Sequence, residues 1–358
     1  MITISLCLIV KNEEGTLWNC LNSVKDIVDQ IVIVDTGSTD RSIEIAREFT
    51  DEIYHFEWIG DFAAARNYSF SFAKCDYILW LDADDVLLEE DREKLKKLKE
   101  TLDPSVDSVS MIYNYGFDEY GNVTLSFRRN RLVKRSRQFK WYGDCHVYLK
   151  VDGIILNSDI AVSHKRLRHS AGRNLAIYEK RVARGDKFTA RDHYYYGNEL
   201  RENGRHEEAI EQYRLSLQAE GGWVEDKISA CLGMAECCRT LGRYEQELEC
   251  LLKSFEYGIP TNEACYWIGN HFQRKHQYRI AVYWYEHAIQ LPRPDKWGFY
   301  REPFSTWLPH LQLCVCHYRL GQYEESYKHN EEARKWRPND PSVLHNKKLL
   351  EEKHGLGK

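Results

Sequence analysis

The hydrophobic pattern of the chain changes near residue 188, and this change divides the sequence into two parts that must fold differently. Before it, short apolar runs alternate with segments of helical spacing, whereas the later sequence is helical throughout and rich in Tyr, Trp and Leu. Strand–helix alternation predicts a mostly parallel sheet with helices on both faces. We therefore predict an α/β domain over residues 1–170, a linking helix over 171–188 and an all-α domain over 189–345.

Four apolar runs mark the strands of the α/β domain. Continuous apolar strands are typical of a parallel sheet that is covered on both faces. In such sheets ligands bind at the carboxyl ends of the strands, so we expect the functional residues directly after these runs. The runs are ISLCLIV (4–10), QIVIVD (30–35), EIYHF (52–56) and YILWLDADD (77–85).

The all-α domain contains an internal repeat. Four similar turns place His206, Tyr244, Tyr278 and Tyr323 at spacings of 38, 34 and 45 residues. A small residue precedes each turn and allows two antiparallel helices to approach closely. These small residues are Gly197, Ala235, Gly269 and Cys314.

This repeat resembles the tetratricopeptide repeat, whose period is about 34 residues. The resemblance implies stacked helix pairs with a concave surface for a peptide or a partner chain. An insertion is expected around residues 294–304, before the last repeat. The alternative is a helical bundle without repeat architecture.

Composition excludes several classes of protein. Fifty basic and fifty-five acidic residues give a net charge of −5, which excludes a bulk basic field for nucleic acid. No apolar run approaches the roughly 18 residues of a membrane-spanning helix, and the start of the chain reads as a strand rather than a signal peptide. The eleven cysteines include no CxxC pair, so we expect reduced thiols in a cytoplasmic protein.

Acidic residues close the fourth apolar run. In the string LDADD (81–85), Asp82 and Asp84 point to the same side of an extended chain. Oxygen ligands of this kind suit Mg²⁺ or Mn²⁺, and a cation held there would neutralise a diphosphate leaving group. The alternative is a solvated turn whose acids cap the next helix.

Other polar residues follow the remaining strands. Asp35 lies at the end of the second strand, where it is placed to accept hydrogen bonds from a base or a ribose. Arg66 can reach a phosphate with two hydrogen bonds, or it forms a surface ion pair with Asp61. Helix capping is the favoured role for Ser38, Thr39 and Asp40.

Four strings together resemble a family 2 glycosyltransferase with the GT-A fold: CLIVKNEE, VDTGSTDRS, DFAAARN and LDADD. The resemblance covers residues 1–170 and implies a nucleotide-sugar donor, usually a UDP-sugar, with Mn²⁺ or Mg²⁺ at the D-x-D. By resemblance, Asp84 is the direct metal ligand, and Asp82 contacts metal or ribose. The implied donor contacts are Val10, Asn12, Glu13, Asp35, Arg66, Asn67, Asp82 and Ala83.

Family 2 enzymes invert the anomeric centre, so the acceptor needs a general base. The string FKWYGDCHVYL (139–149) resembles the segment where related enzymes carry a Gly-x-x-His-Glu pattern. Gly143 and His146 match this pattern, but Val147 replaces the acid. Asp144 or His146 is therefore the candidate base, and the alternative for Asp144 is a turn residue.

Two basic stretches flank this segment. In FRRNRLVKRSRQFK (127–140), one or two of Arg128, Arg129 and Arg131 face the diphosphate, and the others form a solvated surface. In SHKRLRH (163–169), His164 is a candidate third metal ligand, because related GT-A enzymes often carry one in this region. The alternative is a surface histidine that ends a strand.

The whole architecture resembles bacterial family 2 enzymes with carboxy-terminal repeats, including those that glycosylate bacteriocin peptides on Cys or Ser. We therefore predict an inverting, metal-dependent glycosyltransferase whose repeats hold a peptide or protein acceptor. Two alternatives stay open: a cell-envelope glycan as acceptor, and a scaffold whose transferase domain is inactive. The aromatic content of the repeats is also consistent with a homodimer.

Overall fold

The computed structural model describes residues 1–165, 172–292 and 297–357. The chain forms two compact units. The first comprises Met1–Tyr115 and Phe127–Arg181, and the second comprises Gly116–Ser126 and Val182–Lys358. The predicted boundary between residues 170 and 171 lies outside the described residues and stays a prediction.

The first unit alternates strands and helices, as predicted. Its helices are α1 (Leu17–Asn22), α2 (Ser42–Arg47), α3 (Phe62–Phe70), α4 (Glu89–Thr101) and α5 (Arg173–Arg184), of which α5 continues into the second unit. Its strands are β1 (Ile4–Val10), β2 (Gln30–Asp35), β3 (Ile53–His55), β4 (Tyr77–Trp80), β5 (Asp85–Val86), β6 (Ser108–Phe117), β7 (Val123–Lys134), β8 (Lys140–Tyr142), β9 (Tyr148–Lys150) and β10 (Ile155–His164). The end of β6 and the start of β7 belong to the second unit.

Eight of these strands form one mixed sheet in the order β3-β2-β1-β4-β7-β6-β10-β5. Strands β1, β2, β3 and β4 are mutually parallel, whereas β7 is antiparallel to β4 and β5 is antiparallel to β10. The mostly parallel sheet confirms the predicted fold class. Val10 pairs with Asp35, so β1 and β2 end at the same edge of the sheet.

Apolar side chains on one face of the sheet form the main core of this unit, and Cys7, Val32 and Ile78 on the other face belong to a separate, smaller cluster. On β1, Leu6 and Leu8 are buried together with Leu17 and Leu21 of α1. Each buried leucine contributes roughly 1.5–3 kcal/mol. This packing holds β1 rigidly and thereby fixes the loop that follows it.

The second unit consists of consecutive helix pairs, which confirms the predicted repeats. Each turn aromatic residue is the first residue of the second helix of its pair. The helices are α6 (Ala190–Glu202), α7 (His206–Gln218), α8 (Val224–Thr240), α9 (Tyr244–Lys253), α10 (Asn262–Arg274), α11 (Tyr278–Gln290), α12 (Trp307–Arg319), α13 (Tyr323–Trp336) and α14 (Pro341–His354). Residues 294–296 of the predicted insertion lie outside the described residues, and Glu302–Ser305 form a short 3₁₀ helix.

Glycines let aromatic rings enter the helix pairs. A Cβ at Gly269 would lie 2.9 Å from the ring of Tyr285, which is fully buried. Gly197 and Gly233 leave the same kind of space on both sides of Tyr213. The predicted requirement for small residues at positions 197 and 269 therefore has a direct steric cause.

Replacing Gly269 by Ala is expected to destabilise the helical unit by about 1–3 kcal/mol, because the added methyl group overpacks a buried ring. Urea unfolding followed by circular dichroism measures the change. Gly258→Ala is the control, since its added Cβ meets the flexible end of Ile228 at 3.1 Å. Equal loss of stability in both variants would contradict this account.

Candidate functional site

A tight turn follows β4 and holds residues 82–85 of the string LDADD. The amide of Asp85 donates to the carbonyl oxygen of Asp82, and the amide of Asp82 donates to Oδ2 of Asp85, both at 2.9 Å. The chain then enters β5, where Asp85 pairs with His164 of β10. Strand pairing therefore brings the acidic turn next to a histidine that lies 79 positions later.

Asp84, Asp85 and His164 form a candidate metal centre. Their ligand atoms all lie within 4.8 Å of one another, and no other group of this kind occurs among the described residues. The predicted set of Asp82, Asp84 and His164 differs from this group in one acid. The prediction that Asp82 and Asp84 point to the same side assumed an extended chain. The chain instead turns after Asp82, and this turn brings Asp85 to the histidine.

Asp85 is fully buried and forms an ion pair with Arg131. Its Oδ2 lies 3.0 Å from Nη1 of Arg131, which is fully buried as well. The guanidinium lies between the rings of Trp80 and Tyr113, at 3.9 and 4.3 Å from their centres. Tyr113 donates its hydroxyl hydrogen to Oδ1 of Asp85 at 2.7 Å. Both oxygens of Asp85 are therefore already occupied by protein partners.

The sequence predictions missed Asp85 and Tyr113 as parts of the site, and they did not single out Arg131 within its basic stretch. Arg131 is completely inaccessible to solvent, so it is not part of a solvated surface. A local signal for its burial exists, because Leu132 and Val133 beside it are apolar. That signal does not reveal which acid the arginine meets.

His164 is coupled electrostatically to both acids. Its Nδ1 lies 3.3 Å from Oδ1 of Asp84, 3.3 Å from Oδ1 of Asp85 and 2.8 Å from the hydroxyl of Tyr113. Burial lowers the pKa of His164, but hydrogen bonds to the two carboxylates outweigh it and raise the pKa to about 9. Tyr115 stacks on the imidazole, with ring centres 4.8 Å apart.

Asp82 forms an ion pair with Arg66 instead of joining the metal group. Its Oδ1 lies 2.5 Å from Nη2 of Arg66, whose guanidinium contacts Trp80 and Trp141. Burial would raise the pKa of Asp82, but the charges of Arg66 and Arg131 lower it to about 2. Asp82 is therefore held ionised in one orientation. The alternative pairing of Arg66 with Asp61 is not observed, since Asp61 caps α3.

Hydrogen bonds join the loop after β1 to the loop after β2. Oδ1 of Asn12 accepts a hydrogen bond from the backbone amide of Thr39 at 2.7 Å. The backbone amide of Asn12 donates to Oγ of Ser38 at 3.1 Å. Asn12 has a positive φ of 56°, a conformation that asparagine tolerates well. Asp40 accepts from the amide of Ser42, the first residue of α2, but the N-cap residue of this helix is Arg41. Ser38 and Thr39, which were also predicted to cap the helix, bond to Asn12 instead.

Asp35 and Val10 also fix this pair of loops. The carboxylate of Asp35 accepts from the amides of Gly37 and Ser38 at 3.1 and 3.0 Å. The carbonyl oxygen of Val10 accepts from the amide of Thr36 at 2.9 Å. These hydrogen bonds show a structural role for Asp35, and its contact with a nucleoside stays a prediction.

Glu13 adds negative charge beside the acidic turn. Burial raises its pKa, and the charges of Asp84, Asp40 and Asp82 raise it further, whereas a hydrogen bond from Thr16 lowers it. Glu13 is therefore part of the same electrostatic group as the D-x-D. A cation bound at Asp84 would relieve this concentration of charge.

Asn67 joins α3 to β8. Its Oδ1 accepts from the amide of Trp141 at 2.9 Å, and its Nδ2 donates to the carbonyl oxygen of Trp141 at 3.0 Å. Both ends of the amide are thus used within the protein. The remaining predicted donor residue, Ala83, is buried in the acidic turn.

The segment with the candidate bases is the loop between β8 and β9. It turns at Gly143, which has a φ of 93°. Oδ2 of Asp144 lies 3.3 Å from Nε of Arg181, and the ring of His146 lies 6.1 Å from that of Tyr178. Val147 packs against an apolar cluster that includes Trp141. The position where related enzymes carry an acid therefore serves apolar packing here.

A cleft of about 720 Å³ adjoins the metal group. It runs between α1 and the segment that connects β5 to α4. Its lining includes Thr16, Asn19, Asn22, Asp84, Arg92 and Lys165. Hydroxyl, amide and charged groups therefore lie beside Asp84, on the side of the turn that faces α1.

Comparison with known proteins gives a family match for the N-terminal part of the chain. Residues 5–156 match the model of glycosyl transferase family 2, so this segment is a domain of that family. A prophage-derived glycosyltransferase of Bacillus subtilis, SunS, is 29% identical over 233 residues, which are 60% of this chain and 53% of that protein. An uncharacterised glycosyltransferase of Rickettsia typhi is 32% identical over 96 residues, 27% of this chain and 32% of that protein.

A repeat protein is also similar. A TPR repeat-containing protein of Synechococcus elongatus is 48% identical over 90 residues, which are 25% of this chain and 22% of that protein. The chain thus spans about half the length, or less, of the curated relatives that it matches. The solved structure of YrrB, a TPR protein, covers 50% of this chain and 84% of its own at 15% identity, and its TM-score of 0.39 is too low to establish a common fold.

Among the helices of the described residues, none combines the length and the apolar character that crossing a bilayer requires.

Replacing Arg131 by Met is expected to cost about 3–5 kcal/mol of stability, because Asp85 is left buried without its counter-charge. Chemical denaturation measures the difference. Arg41→Met is the control, since the exposed pair of Arg41 with Glu44 should contribute little to stability. The double variant Arg131→Met/Asp85→Asn should recover part of the loss. A similar small loss in Arg131→Met and Arg41→Met would show that the buried pair is unimportant.

Proposed function

From the family 2 domain over residues 5–156, we propose that the protein transfers a sugar from a nucleotide sugar, preferably a UDP-sugar, to a peptide or protein acceptor. The observation that carries the proposal is the group formed by Asp84 and Asp85, which follow β4, and His164 at the end of β10. In α/β proteins, ligands bind at this edge of the sheet.

The residues of the group fit a divalent cation. Carboxylates with one imidazole suit Mn²⁺ better than Mg²⁺, which prefers oxygen ligands. Because both oxygens of Asp85 are occupied by Arg131, Tyr113 and the amide of Asp82, we assign direct ligation to Asp84 and His164. A cation bound there supplies positive charge against the diphosphate that leaves.

The donor nucleotide would bind along the ends of β1, β2 and β4. Asp35 and Glu13 are proposed to contact the nucleoside, and Arg66 is proposed to contact the diphosphate while it holds Asp82. Asn67 would contribute indirectly, because its amide already fixes Trp141. The complete proposed set is Val10, Asn12, Glu13, Asp35, Arg66, Asn67, Asp82 and Ala83.

The proposed reaction is a direct displacement with inversion. The acceptor hydroxyl or thiol gives its proton to a base while its oxygen or sulfur bonds to the anomeric carbon and the bond to the diphosphate breaks. Asp144 is the first candidate base, since its carboxylate is oriented by Arg181 and is partly exposed. His146 is the second candidate and lies two residues later in the same loop.

A peptide or protein acceptor is supported by the helical repeats. Stacked helix pairs form an extended surface that can hold a polypeptide. Holding the acceptor on the same chain raises its local concentration at the transferase site. A Ser, Thr or Cys side chain of that polypeptide would then be the group that receives the sugar.

Titration of the protein with UDP by calorimetry tests the donor site. We expect UDP to bind in the presence of Mn²⁺ and to bind at least about tenfold more weakly without it. Asp84→Ala should remove the effect of Mn²⁺, because a direct ligand is lost. Asp159→Ala, at an exposed position, should leave binding unchanged.

Absence of UDP binding with and without Mn²⁺ would contradict a UDP-dependent transferase. It would favour a donor with another nucleotide or the scaffold alternative. Unaltered metal-dependent binding by Asp84→Ala would instead exclude Asp84 as a ligand.

Removing the base is expected to lower turnover by roughly 10²- to 10⁴-fold without weakening UDP binding, since the base acts only on the acceptor. Release of UDP from UDP-sugars is measured with Ser- and Cys-containing peptides as acceptors, for Asp144→Ala and His146→Ala. Cys145→Ala is the control and should keep turnover. Full turnover in both test variants would remove this loop from the reaction.

A further inference from the structure

An exposed apolar stripe runs along one side of α11. The opposite side of this helix is buried through Ala281, Tyr285 and Ala288. On the outer side, Ile280 is 43% exposed and Tyr283 is 61% exposed. A helix that already has one buried side gains nothing within its own unit from a second apolar side, so this stripe is available to another molecule.

The preceding repeat also carries exposed apolar residues on its second helix. Tyr244 and Leu252 on α9 are each 45% exposed. Like α11, α9 is the second helix of its pair. Single exposed apolar residues are normal on protein surfaces, but their recurrence on the second helices of two consecutive repeats is less usual.

Two charged residues of α11 lie along one side of the apolar stripe. Arg279 and Glu286 are both exposed, and within the described parts of the chain neither has an ion-pair or hydrogen-bond partner. They lie seven residues apart, which is about 10.5 Å along the helix axis, so they cannot pair with each other. In contrast, Lys328 on α13 pairs with Glu325, three residues before it.

The angular positions of these residues are self-complementary. At about 100° per residue, Arg279 and Glu286 both lie about 40–60° to the same side of Tyr283. Ile280 and His287 lie at similar angles on its other side. Consider two antiparallel copies of α11 related by a two-fold axis that lies between them and is perpendicular to both. The flank of one helix then lies against the same flank of the other helix. Arg279 then faces Glu286 of the partner subunit, and Ile280 faces His287 of the partner subunit.

We propose that this side of α11 is the contact between two copies of the chain, with the two helices antiparallel about a two-fold axis through Tyr283. The contact is isologous, so it closes after two copies and forms each ion pair twice. His287 supports the stripe, because its ring stacks on Tyr283 with ring centres 6.2 Å apart. The homodimer expected from the aromatic content thereby acquires a specific surface.

Charge reversal tests this pairing. Sedimentation velocity of the full chain is measured from about 1 to 100 μM, the range of a modest interface. The unaltered protein should form dimers as concentration rises. Arg279→Glu and Glu286→Arg should each weaken dimerisation at least about tenfold, because like charges then meet twice. The double variant Arg279→Glu/Glu286→Arg should restore it, since the ion pairs form again with exchanged partners.

Arg319→Glu, at an exposed arginine of α12, is the matched control and should leave dimerisation unchanged. Circular dichroism confirms that all variants are folded. A monomer at every concentration would overturn the proposal and leave the stripe to a different partner protein. A dimer that resists both single reversals, or a double variant that stays monomeric, would overturn the antiparallel α11 contact.

Discussion

The buried ion pair of Arg131 and Asp85 organises the acidic end of the sheet. Removing two charges from water costs several kcal/mol per ion unless good geometry and further hydrogen bonds offset it. Here the offset comes from the hydroxyl of Tyr113 and from the aromatic rings that enclose the guanidinium. With Asp85 fixed in this way, its second oxygen holds the amide of Asp82 and defines the turn.

Trp80 connects this pair to the rest of the site. Its ring contacts the guanidinium groups of both Arg66 and Arg131, and its Nε1 donates to the carbonyl oxygen of Asn130 at 2.6 Å. Each arginine pairs with a different acid of the same turn. One aromatic residue at the end of β4 thus aligns the counter-charges of Asp82 and Asp85, while Asp84 points toward His164. The division of roles among three similar carboxylates follows from this arrangement.

The fold could be predicted well from the sequence, because the spacing of apolar residues shows directly which side chains are buried. The apolar runs over 4–10 and 30–35 are the observed strands β1 and β2, and the turn residues His206 and Tyr278 begin the observed helices. The site was predicted less completely, because contacts between distant segments decide which polar side chains turn inward. Arg131 lies in a basic stretch, and only the position of β7 beside β4 places it under Asp85. Likewise, the pairing of Asn67 with the backbone of Trp141 has no local signature.

Tyr213 has a consequence for how the helical unit unfolds. Its ring fits against Gly197 in its own helix pair and against Gly233 in the next pair, so it belongs equally to both. In repeat proteins, stability is the sum of the intrinsic stabilities of the repeats and the interfaces between neighbours. The contacts of a ring that is shared in this way contribute to the interface between two repeats rather than to the intrinsic stability of one repeat. The first two helix pairs should therefore open together rather than one at a time, which would keep the proposed acceptor surface continuous.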